Sequence, residues 1–272
     1  MIVDAHTHIT PDGKWFNTSY DASINNLLRQ MDEANVEKAV IIGFPGHITN
    51  EFIYKTSLSY HDRLLPVGSF NPAIYTDSKK LTAEIKDQFY DGPYIGIKLH
   101  PRLNAYDILD DRVFATFDEI SSWNKKPAIW IDTFFYYPGG KLKKPPVEAL
   151  HDIIGAYPSL IFLLSHSAGP DILKLAYAIR SCNNAYLDLS LVLTKFEGSS
   201  VECDISHLLN NFEKRMVFGT DFPEENILNG INALKKLARY KKKNAEEDVI
   251  GNNFARLFFK GGANGKQKDR NP

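Results

Sequence analysis

Cysteine is scarce. Only Cys182 and Cys203 occur in 272 residues, too few for a disulfide framework and without the paired spacing of a Cys-rich zinc site. Any metal must therefore rest on His, Asp, Glu or Lys. Charge of one sign is also lacking: 32 Lys and Arg stand against 33 Asp and Glu, a net charge of −1. The chain has no broad positive field to make nucleic acid or an anionic membrane its main partner, which leaves small-molecule chemistry. No apolar run approaches the ~20 residues of a membrane-spanning helix, and the start at Met1 has neither a basic nor an apolar leader region. The expectation is a cytoplasmic protein, with homo-oligomer formation left open. What is present is ordinary globular material, 43% hydrophobic and 24% charged, long enough for one large domain or two smaller ones.

Eight short apolar, β-rich segments recur: Ile2–His8, Ala39–Phe44, Leu64–Phe70, Tyr94–His100, Ala128–Thr133, Leu160–His166, Ala185–Ser190 and Met216–Asp221. Their ends are spaced by about 30 residues, the length of one strand-helix unit. The stretches between them carry helical periodicity, as in Leu81, Ile85 and Phe89 or Ile227, Ile231 and Leu234. Asp111, Pro145-Pro146 and Pro170-Asp171 read as helix starts. Eight such units, with no glycine-rich nucleotide loop, predict a single α/β domain, a closed (β/α)₈ TIM barrel over residues 1–260. Residues Ala245–Phe259 read as an extra C-terminal helix and Gly261–Pro272 as a flexible tail.

In such a barrel the reactive groups come from the C-terminal ends of the strands. Those ends carry His6 and His8, Lys98 and His100, Asp132, His166, Asp188 and Asp221. Strand period two puts His6 and His8 on one face, about 6.5–7 Å apart along the strand, where two imidazoles can converge on one ion. Residues 95, 97 and 99 should pack outward, with Gly96, Lys98 and His100 inward. So many ionisable groups on one rim call for a compensating cation. Imidazole with carboxylate suits zinc first, with manganese or iron next. The aromatic run from Phe134 through Tyr136 to Gly140 reads as a substrate lid or pocket wall, with Trp15, Phe16 and Tyr20 as a facing wall. Lys98, His100 and Arg102 form a cationic side suited to a substrate carboxylate.

The motifs Asp4-Ala-His6-Thr-His8, Gly96-Ile-Lys98-Leu-His100-Pro101, Leu164-Ser-His166 and Phe218-Gly-Thr-Asp221, in this order along nearly the whole chain, resemble the amidohydrolase superfamily, in its branch that includes decarboxylases. The resemblance implies a (β/α)₈ fold and His6 and His8 as metal ligands. It also implies His166 as a second-metal ligand or an acid/base group, and Asp221 as a ligand or proton shuttle. One or two ions are implied, with Lys98 at the position that bridges two metals in some members. The family usually has His at the end of strand five, where this chain has Asp132, either a substitute ligand or an ion-pair partner of Lys98 or Arg102.

The expected activity is hydrolysis of an ester, lactone or amide of a small, carboxylate-bearing organic molecule by metal-activated water, with Asp221 and His166 catalytic. The alternatives are non-oxidative decarboxylation of an aromatic or enoic carboxylate at the same site, and a non-catalytic member with a relict metal site.

Overall fold

The computed structural model describes residues 1–134, 142–239, 242 and 244–259. Its strands are β1 (Val3–Thr7), β2 (Lys38–Ile42), β3 (Leu64–Ser69), β4 (Gly96–Leu99), β5 (Ala128–Asp132), β6 (Phe162–Ser165), β7 (Ala185–Asp188) and β8 (Met216–Val217). They form one sheet in the order β1 to β8, each parallel to the next. The seam between the first and last strands is closed by backbone hydrogen bonds. Ala5 N donates to Phe218 O at 2.9 Å, Asp221 N to His6 O at 2.8 Å and His8 N to Phe222 O at 2.7 Å. The fold is the (β/α)₈ barrel that the alternating pattern predicts.

Helices α1 (Ile24–Glu33), α2 (Asn50–Ser59), α3 (Ser78–Phe89), α4 (Asp111–Ser121), α5 (Pro146–Ala156), α6 (Ile172–Ala178), α7 (Val192–Lys195), α8 (Ser200–Asn211) and α9 (Ile227–Ala238) lie between or after the strands. Short polar side chains start several of them. Ser23, Thr49, Asp77 and Asp110 each accept a backbone N–H of the first turn, each cap contributing about 1 kcal/mol. The α4 cap is Asp110, one residue before the expected Asp111. The predicted extra helix is broken into α10 (Ala245–Glu247), a π-helical turn (Asp248–Asn252) and α11 (Asn253–Phe258). The predicted tail Gly261–Pro272 lies outside the described residues.

Two apolar layers result from the alternation. Ile97, Leu99, Ile129, Ile131, Phe162, Leu164 and Leu187 face the helices, while Val40, Ile42, Val67, Trp130, Leu163 and Val217 fill the barrel interior. Ile95, expected to face outward, lies below β4 and packs against that interior layer. Gly96 is required by Trp130: a Cβ there would sit 2.2 Å from the indole ring. Phe254 of α11 joins the interior layer, and Phe258 stacks on Trp130 with centroids 5.6 Å apart. The lower barrel is thus packed solid by apolar groups, and the polar side chains are left to the upper end.

Candidate metal centre

The first strand changes phase between its two tasks. Val3 and Ala5 pack into the interior layer, so strict alternation would send His6 and His8 outward. The register prevents this: Asp4 pairs with Ala39 but Thr7 with Ile41, three steps on β1 against two on β2. One extra residue in a strand re-aims the side chains beyond it, and both imidazoles point into the mouth of the barrel. Asp4 pins the irregular segment across the seam. Its carboxylate accepts from His6 N at 3.1 Å, Thr220 N at 3.0 Å and Thr220 Oγ1 at 2.6 Å. Burial pushes its pKa up to about 7 despite those donors.

Three further strand ends use a left-handed backbone to aim side chains. His166, Leu191 and Asp221 have φ of 62°, 63° and 66°, conformations that cost a non-glycine residue about 1–3 kcal/mol and cluster at functional sites. They deliver His166 and Asp221 to a cavity of about 220 Å³ that His6, His8, Lys98, His100, Arg102 and Asp132 also line.

Within that cavity the ionisable groups separate into two corners. At the β1/β8 corner, Asp221 Oδ1 lies 3.3 Å from His6 Nε2 and 3.2 Å from His8 Nε2. The far nitrogens fix the tautomers. His6 Nδ1 meets the Asp188 carboxylate at 2.6 Å and His8 Nδ1 the Ile42 carbonyl at 3.0 Å. Both partners accept, so each Nδ1 carries a proton, and in that tautomer the lone pair of each ring lies on the Nε2 that faces inward. Burial, with Lys98 nearby, lowers His6 to about 4 and keeps it neutral. Burial opposes ionisation of Asp221, while the positive charge of His166 favours its carboxylate. His6 Nε2 is buried with no hydrogen-bond partner. Three acceptors facing one another repel unless a cation lies between them. Tetrahedral zinc bonds of about 2.0–2.1 Å would separate neighbouring donors by about 3.3 Å, close to the distances found. Among the described residues, His6, His8 and Asp221 form the one group of three whose ligand atoms all lie within 4.8 Å of one another. The donor set fits a divalent ion.

The second corner is built differently. Asp132 Oδ2 is 3.2 Å from His100 Nε2 and 3.4 Å from His166 Nε2, and Arg102 approaches both carboxylate oxygens at 3.5 Å. Burial would raise Asp132, but His100, His166 and Lys98 outweigh it and hold the carboxyl well below its ordinary value. His166 is raised: burial works against its charge, but Asp132 and Asp221 prevail. Its Nδ1 reaches Ser190 O at 3.2 Å and Ser190 Oγ at 3.0 Å. His100 is lowered by burial to about 3. Asp132 is therefore gathered with histidines and Arg102, apart from the His6–His8–Asp221 triangle. Lys98 is fully buried and donates to Ser165 Oγ at 2.6 Å, with burial lowering its pKa.

The aromatic walls stand partly as expected. Trp15 and Phe16 line the cavity with Phe44, and Phe134 lines the other side. Trp15 stacks on His8 with centroids 5.2 Å apart and donates Nε1–H to Glu224 at 3.0 Å. Tyr20 is exposed and does not line the cavity, because its loop turns back toward α1. Tyr136 falls outside the described residues. Sequence reasoning gave Asp188 no role although it sits at a strand end, and it passed over Glu224, Lys195 and Phe44. The loop residues among these carry no periodic signal that could have found them.

The Amidohydro_2 family model, described as amidohydrolase, matches residues 3–260. No curated protein matches the chain. Among solved structures, an uncharacterised TIM-barrel protein of Bordetella bronchiseptica is similar with a TM-score of 0.76 at 18% identity, over 94% of this chain and 97% of that one. A probable 2-pyrone-4,6-dicarboxylic acid hydrolase of Acinetobacter baumannii has a TM-score of 0.64 at 16% identity, over 95% and 99%. A 5-carboxyvanillate decarboxylase of Novosphingobium aromaticivorans, with bound manganese, has a TM-score of 0.68 at 12% identity, over 95% and 97%. At these identities the likeness shows the shared fold alone.

Proposed function

The chain belongs to the amidohydrolase family, and from that premise we propose that it is a metal-dependent hydrolase of an ester, lactone or amide in a small, carboxylate-bearing organic molecule. The observation that carries this reading is the convergence of His6 Nε2, His8 Nε2 and Asp221 Oδ1 with no donor between them. These three residues would hold a divalent ion, zinc first and manganese or iron next. When bound, such an ion supplies Lewis acidity, making a water more acidic and polarising a carbonyl. Asp188 and the Ile42 carbonyl keep the His6 and His8 lone pairs aimed inward. Asp221, held ionised, is the base that takes a proton from the attacking water. His166, held protonated beside Asp132, donates to the leaving group. Trp15, Phe44 and Phe134 limit water at the reacting centre.

One observation favours a second reading, decarboxylation: a buried, charged His166 can equally protonate the carbon left after loss of CO₂. The metal content of protein loaded with zinc or manganese tests the site. Acid release from lactones and esters, compared with CO₂ release from aryl carboxylates, separates the two reactions. Substrate-dependent CO₂ with no acid release would replace hydrolysis by decarboxylation. Less than about a tenth of an equivalent of metal would defeat both.

A further inference from the structure

The sequence reading assigned a substrate carboxylate to Lys98, His100 and Arg102, but all three are engaged within the protein. Lys98 holds Ser165, His100 faces Asp132, and Arg102 forks onto Asp132. One more cation lines the same cavity: Lys195, at the end of α7. Leu191, with φ 63°, turns the chain after β7 so that Val192 and Leu193 are buried while Lys195 remains exposed. Among the described residues, Lys195 Nζ has no carboxylate within 4.0 Å; it lies 5.4 Å from the centre of the Phe134 ring. Phe134 in turn has its ring centre 5.7 Å from that of His166. The phenyl ring therefore separates the polar floor of the cavity from a cation at its mouth.

Resting on the metal-dependent reading above, we infer that Lys195 selects substrates with a second carboxylate, remote from the bond that reacts. A flat or apolar substrate body would lie against Phe134, with Trp15, Phe16 and Phe44 on the other wall and one end within reach of the ammonium. Charge supports two anionic groups rather than one. The lining residues include four cations, Lys98, Arg102, Lys195 and the protonated His166, and three carboxylates, Asp132, Asp221 and Glu224. Adding a divalent ion leaves an excess of three positive charges, which a dicarboxylate comes closer to neutralising than a monocarboxylate does. Glu224 makes no ion pair with Lys195 within 4.0 Å, and its Oε1 accepts instead from Trp15 Nε1. An ammonium over an aromatic face keeps its full charge and remains available to a carboxylate.

Calorimetric titration of the metal-loaded full chain with benzoate, isophthalate and terephthalate tests this without turnover. In the wild type, one of the two dicarboxylates should bind at least about tenfold more tightly than benzoate, a gap that narrows as salt is raised. Lys195→Gln should abolish most of that advantage while leaving benzoate affinity unchanged, and Lys195→Arg should retain it. Equal affinities in the wild type, failure of both dicarboxylates to bind, or equal weakening of benzoate and dicarboxylate by Lys195→Gln would each overturn the inference. Metal analysis of the same samples keeps the two readings apart. A Lys195-dependent preference in protein that holds no ion would sink the metal reading and leave this one standing; a full metal complement without the preference would do the reverse.

Discussion

The two corners of the cavity use the same residue types in opposite senses. At the β1/β8 corner two imidazoles and a carboxylate meet as acceptors, because Asp188 and the Ile42 carbonyl occupy the protonated nitrogens. At the β4–β6 corner a carboxylate is met by two imidazoles and a guanidinium, and His166 is the more basic for it. The first corner needs a cation from solution, and the second already holds its own. His and Asp in one pocket do not define a ligand set; the direction in which each proton points does.

The comparison breaks most visibly at the acceptor corner. His6→Ala or Asp221→Ala should lower bound metal below about a tenth of an equivalent and turnover by at least about a thousandfold, measured by elemental analysis beside an assay. Retention of a full equivalent by either variant would remove the triangle as the metal's place. Next in size is His166→Asn, which should keep its metal but lose about a hundredfold to a thousandfold in turnover, the scale of a lost proton donor. An unchanged rate would take His166 out of the chemistry.

Asp132→Ala sharpens the contrast through stability. It leaves Arg102 and His166 without their buried counter-charge, a loss of about 3–5 kcal/mol, or a melting temperature lower by about 10 °C. Metal affinity should stay within about threefold of wild type. Calorimetry and a metal titration measure the two together, and a variant that melts normally but loses its ion would make Asp132 a ligand after all.

The smallest effect is a difference in pH dependence between the corners. His166 has a raised pKa in the folded state, so its contribution is complete below the unfolded value near 6.5 and is lost as pH rises through the folded value. The gap in melting temperature between wild type and His166→Asn should therefore narrow from pH 6 to pH 9. Metal affinity should move the other way, strengthening as protons leave the ligands. Parallel trends in the two measurements would merge the corners into one titrating unit.

The sequence carries much of this arrangement, because barrel strands repeat every ~30 residues and their buried faces read as apolar runs. Seven of the eight strands fall within the predicted segments and β2 begins one residue earlier, at Lys38; each is shorter than predicted by a residue or more. Lys98 and Asp132 do face inward with Gly96 and Trp130, as alternation requires. Alternation fails at His6, where an extra residue shifts the phase, and at His166 and Asp221, where a left-handed residue ends the strand. Such events depend on neighbouring strands and leave no period to detect. For Asp132 the ion pair with Arg102 was one of the two expected roles, but its contacts with His100 and His166 were beyond reach: they come from two other strand ends, and only their assembly shows which of them donates.

The seam that joins β1 to β8 also has a history in time. Asp4 and Thr220, which lock it, are 216 positions apart, so at about 5–20 residues per second a ribosome needs roughly 10–40 s between making one and making the other. His6 and His8 are made before Asp221, and their lone pairs have no common target until it joins them. A nascent chain stalled before residue 221 carries two histidines but no completed triangle. Completion of the triangle is thereby tied to the making of the eighth strand and the closing of the seam, and so to the integrity of the barrel itself.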